Sequence, residues 1–142
     1  MQAYLKKWKA VEGSELHRAV MEAVRAEESV GKREDELRAA YAQLDDARQN
    51  QEKPDPSKGA VAYATALAMV PAYEMLVSTT KNALDLEKMS LSSKAMVVRR
   101  YDEQLTAASE LVKECRDADA ASRAAALADW ERLRTLYLKP KK

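Results

Sequence analysis

Apolar positions recur every three or four residues along most of the chain, which is the period of an amphipathic helix. From Gln2 to Val11 the stripe is Tyr4, Leu5, Trp8 and Val11. Gly13-Ser14 interrupts it, and Ser14 is placed to cap a new helix by accepting from a first-turn amide. Leu16, Val20, Ala23 and Val24 form the next stripe, and Ser29-Val30-Gly31 predicts a bend. Leu37, Tyr41, Leu44 and Ala47 continue with charged residues on the flanks, so the part up to Gln51 predicts a helical hairpin or a bent helix.

Lys53-Pro54-Asp55-Pro56-Ser57-Lys58-Gly59 is a linker, because its prolines remove amide donors and push their predecessors out of the α region. Ala60 to Leu86 is expected to be the most buried segment. Within it Pro71 either kinks one helix or opens a new one, and Glu87-Lys88-Met89-Ser90 closes the element. Ser90, Ser92 or Ser93 then caps a helix whose stripe runs Leu91, Ala95, Val98, Tyr101, Leu105, Ala108, Val112, Cys115. Asp117-Ala118-Asp119 predicts a bend before a last helix bearing Ala126, Trp130, Leu133 and Tyr137. Trp130 and Leu133 are expected to pack on the 91–115 stripe. No internal repeat is visible, and heptads do not persist past one helix, which argues against a long coiled coil.

These elements predict an all-α fold, a compact antiparallel bundle of about four to six helices in a single domain spanning 1–142. Its parts are a charged helical segment 1–52, a loop 53–59, a helical core 60–138 and a basic tail 139–142. Composition agrees: Ala, Leu, Glu, Lys and Arg dominate, while three Gly and four Pro are too few for an all-β chain.

Net charge is +1 with both signs interspersed, which argues against nucleic-acid binding. The only basic run is the tail Lys139-Pro140-Lys141-Lys142, read as a frayed terminus. Ala60 to Val77 has the length of a membrane span but holds six alanines, Pro71 and Glu74, so a buried core helix is expected instead. Met1 to Trp8 contains no apolar run of signal-peptide length. A single cysteine forms no intrachain disulfide, and a reducing, cytoplasmic setting is expected.

Candidate chemistry is sparse. His17, the one histidine, reads as a surface or cap-region residue with no second ligand beside it. Cys115 sits in an apolar stripe and reads as a buried inert thiol, since no histidine base can be argued for it. The carboxylates Glu27/Glu28, Glu34/Asp35/Glu36 and Asp45/Asp46 alternate with arginines on solvated helix faces. No Glu-x-x-His pair and no Gly-rich phosphate loop occurs. The expectation is therefore no enzyme, no cofactor and no metal, and a protein that works through its surface. Tyr63, Tyr73 and Tyr101 fall in or beside apolar stripes and divide between core packing and interface use, because Tyr and Arg are enriched among binding hot spots. Not all of Arg99-Arg100-Tyr101-Asp102-Glu103 can face a core.

Two stretches resemble a known family. Pro71-Ala72-Tyr73-Glu74-Met75-Leu76-Val77-Ser78, followed by Lys81 and Leu84, resembles the start of the second helix in a small helical immunity family. Leu91 to Glu103 with Val98-Arg99-Arg100-Tyr101-Asp102-Glu103, then Glu110-Leu111, is similar to that family's next helix, where an apolar-basic-aromatic-Asp-Glu run has the same order and spacing. The family comprises cognate immunity proteins of type VI secretion effectors that hydrolyse NAD(P)⁺. The charge-rich part before the linker has no counterpart in it. The resemblance implies a cytoplasmic, non-enzymatic protein that neutralises a protein toxin by binding its catalytic domain. Partner contacts are expected at Tyr73, Glu74, Arg99, Arg100, Asp102 and Glu103, with acids filling space the toxin uses for dinucleotide phosphates. Self-association as a homodimer is compatible with such a surface. The alternative of another class is a structural adaptor or export chaperone.

Overall fold

The computed structural model describes residues 1–52 and 59–140. The linker expected at 53–59 therefore lies outside the described residues except for Gly59, as do Lys141 and Lys142. Four helices follow in order: α1 (Ala3–Trp8), α2 (Glu15–Glu52), α3 (Gly59–Glu114) and α4 (Ala120–Tyr137), with a 3-10 turn at Cys115–Asp117 before α4. The protein is all-α, and its long helices pack antiparallel. Among the described residues there is no strand; a lone bridge joins Ser14 to Pro140.

Local signals explain the breaks. Lys9 in the left-handed region, φ 51°, ends α1, its amide donating to the Leu5 and Lys6 carbonyls. Gly13 turns the chain toward α2 at φ 84°, a conformation that favours glycine. The Ser14 hydroxyl then accepts from the His17 amide at 3.2 Å, the N-cap bond its position predicts. His17 returns the contact, its Nδ1 accepting from the Gly13 amide at 3.3 Å, so the cap-region reading of this histidine describes its place in the fold. The expected turn near 117–119 is the 3-10 turn, with Asp119 at the start of α4.

Two expected boundaries are absent. The bend at Ser29-Val30-Gly31 does not form, and α2 is one helix rather than a hairpin. A helical glycine costs only about 1 kcal/mol relative to alanine, and burial of Val30 offsets it. Glu87-Lys88-Met89-Ser90 does not close an element either, and no serine there starts a helix, because α3 runs through. That segment contains neither Gly nor Pro, and serine alone is a weak breaker. Pro71 lies inside α3. It removes one backbone donor, while Val70 and Val77 are buried on either side of it.

The described residues fall into two compact units. The first comprises Met1–Glu27 and Ser90–Lys142. Its core is Leu16, Val20 and Ala23 of α2, Val98 and Leu105 of α3, and Leu138. Trp8, Trp130, Leu133, Tyr101 and Tyr137 pack around it, so Trp130 and Leu133 border the core that holds Val98 and Leu105 of the predicted stripe. The second unit, Glu28–Met89, has a smaller core of Ala40, Leu44 and Ala47 from α2 against Val70 and Val77 from α3.

The second unit overturns the expectation that Ala60 to Leu86 is the most buried segment. Val61 is 79% exposed, Met75 72% and Leu86 67%. The 18-residue stretch of α3 that is long and apolar enough to cross a membrane is only 12% buried. A helix covered by a single neighbour hides one stripe and leaves the rest in contact with water. Cys115 also departs from expectation, being half-buried in the 3-10 turn rather than sealed in a core.

Candidate functional site

Residues 98–105 of α3 divide cleanly between inward and outward roles. Val98 and Leu105, seven apart, are fully buried and fix one face of the helix. Tyr101 lies on that side and stacks on Tyr137 of α4, with ring centroids 4.3 Å apart and planes 27° from parallel. Asp102 clamps α1: its Oδ1 accepts from Lys7 Nζ and from Trp8 Nε1, each at 2.8 Å. Trp8 in turn lies against Trp130, with centroids 6.0 Å apart, and Lys7 Nζ sits 5.0 Å from the Trp8 ring centroid. Burial of the Asp102 carboxylate works against its charged form, but hydrogen bonds from Lys7 and Trp8 and the Lys7 charge outweigh it, so its pKa is held below the ordinary Asp value.

The intervening residues point out. Arg99, Arg100 and Glu103 are exposed and have no side-chain partner among the described residues. Met96, Ala107 and Leu111, also exposed, continue the same face at spacings of three and four. The result is a charged rail with apolar ends on a segment anchored from behind.

Of the six residues expected to contact a partner, Arg99, Arg100 and Glu103 thus share one exposed face. Asp102, between them in sequence, has its side chain 20% exposed and holds α1 in place. Tyr73 and Glu74 belong to the second unit. Tyr73 is half-buried against the core of that unit, and Glu74 forms an exposed ion pair with Arg48 of α2 at 3.3 Å.

Two features escaped the sequence reading. Met96 and Leu111 lie within the stretches that carry the resemblance, but they fall off the inward stripe, so periodicity gives them no role of their own. A cavity of about 390 Å³ lies in the first unit, with Trp8, Val11, Trp130 and Leu138 as an apolar wall and Lys7, Lys9, Arg134 and Lys139 around it. No acid is among its lining residues, although Lys7 is already paired with Asp102. Its members come from both ends of the chain and, with Ser109, from α3, so only the packed fold assembles them. Among the described residues no group of three or more His, Cys, Asp or Glu is placed to hold a metal ion. Comparison of the chain with family models, curated proteins and solved structures finds no match.

Proposed function

We propose that this chain is a non-enzymatic, cytoplasmic binding protein that neutralises a secreted antibacterial toxin by covering its catalytic domain, as the resemblance over Pro71 to Leu111 implies. The toxin, on the same resemblance, is a type VI effector that hydrolyses NAD(P)⁺. The observation that carries the reading is the rail of Arg99, Arg100 and Glu103, held outward by Val98, Tyr101, Asp102 and Leu105. The helix backbone beneath the rail is ordered before binding, so docking costs side-chain freedom alone, and arginines rank among common hot-spot residues. Acid and base side by side on the rail give charge complementarity, which speeds capture.

The test is survival of cells that co-express this chain with a type VI effector that hydrolyses NAD(P)⁺, taken from the same genome. Wild type should protect, and Arg100→Ala and Glu103→Ala should weaken protection while melting like wild type. Wild type that neither protects nor forms a complex at micromolar concentration refutes immunity to that toxin. Protection that every rail variant retains refutes the rail as the site.

A second reading, an adaptor or export chaperone, draws on exposed Met96 and Leu111 beside the rail. Methionine reshapes to fit varied surfaces. Dependence of several secreted clients on this chain, with no toxin neutralised, would favour it.

A further inference from the structure

The outward face of α3 in the second unit has a pattern that its core role leaves unused. Ala72, Met75, Thr79, Asn82, Leu86 and Met89 follow one another at spacings of three and four, and all are exposed. Met75 is 72% exposed, and Leu86 and Met89 are each 67% exposed. None is charged. The charges of this stretch, Glu74, Lys81, Asp85, Glu87 and Lys88, fall outside the seam. Four of the six are apolar, two on each side of the polar Thr79 and Asn82, and a 3-4 repeat is the spacing of a two-helix coiled-coil seam.

We propose that two copies of this chain pair through this seam, antiparallel, about a two-fold axis between Thr79 and Asn82. That register places Ala72 against Met89 of the second copy, Met75 against Leu86 and Thr79 against Asn82, each pair occurring twice by symmetry. The smallest residue meets a long one, the two bulky residues meet each other, and the two polar residues at the centre satisfy one another, hydroxyl to amide. A parallel pairing would instead set Ala72 on its own copy and leave a gap. The seam is thus complementary to itself, which is what a second copy requires. A lipid bilayer fits worse. α2 packs against α3 in this unit and carries ten charged residues from Glu28 to Arg48, which would accompany it into hydrocarbon. The unit's net charge of −3, from 8 basic and 11 acidic residues, also gives no attraction to an anionic membrane surface. This pairing does not depend on the identity of any toxin.

Light scattering on the full chain at about 100 μM tests it, together with two double variants at exposed positions. Wild type should have twice the 15.9 kDa chain mass. Met75→Glu with Leu86→Glu sets acid against acid and should give a monomer of unchanged helicity, its dissociation constant raised at least about 100-fold. Met75→Glu with Leu86→Lys restores opposite charges only in the antiparallel register, and should dimerise again. Wild type at the single-chain mass overturns the proposal, whether or not it then floats with anionic phosphatidylserine vesicles. So does a double-Glu variant that stays dimeric, and a Glu/Lys variant that stays monomeric overturns the antiparallel register.

Discussion

Asp102→Ala should be among the most damaging single changes on the α3 surface, although the residue sits in a row of exposed charges. Its Oδ1 receives Trp8 Nε1 and Lys7 Nζ, both at 2.8 Å. A hydrogen bond to a charged group contributes about 1.5–3 kcal/mol. The Lys7 pair, whose lysine is half-exposed, adds at most about 1 kcal/mol. The expected loss is therefore about 2–3 kcal/mol, against about 1 kcal/mol or less for Lys7→Ala and an intermediate value for Trp8→Phe. At this chain length about 1 kcal/mol moves Tm by roughly 3–5 °C, so Asp102→Ala should melt about 10 °C lower. Both tryptophans belong to the first unit, so urea titration followed by tryptophan fluorescence reads that unit directly. The pH dependence has a definite sign. Asp102 has a folded pKa below its unfolded value, so its contribution is full above the unfolded value near 3.8 and is lost as pH falls through the folded one. The gap between wild type and Asp102→Ala should close in that acid range and stay constant from pH 5 to 7. Equal stability of the two proteins at pH 7, or a Lys7→Ala loss as large as that of Asp102→Ala, would refute the clamp. A loss of toxin protection in Asp102→Ala alone would report the fold and not the rail.

Two further changes probe the local signals. Ser14→Ala removes the hydroxyl that caps α2 from a fully buried position, and thermal melts should show a loss of about 1–2 kcal/mol; no change would mean the His17 amide needs no cap. Gly31→Ala should stabilise by about 0.5–1 kcal/mol in the same assay, since α2 continues through it and an added Cβ meets nothing within 4 Å; destabilisation would mean that the helix needs its glycine.

Several features follow from the order of residues alone. The 3.6-residue period, with few Gly and Pro, fixes the all-α class. The stripe from Leu91 to Cys115 identifies the face that packs, and Val98, Leu105 and Ala108 are buried where it puts them. Ser14 after Gly13 marks the start of α2, and Asp117 to Asp119 the turn before α4. Each of these depends on neighbours within one or two turns, so no tertiary information is needed. Other features belong to the packed molecule. Gly31 and the 87–90 segment carry weak breaking signals, and the helices continue through both. Asp102 reads as one more charge on a polar face until α1 folds back and supplies Trp8 Nε1. The apolar residues of 60–86 predict burial, yet their burial depends on how many helices stand beside them. Periodicity says which side chains share a face. It does not say how many partners that face will meet, and among the described residues of the second unit the core of α3 is built against α2 alone.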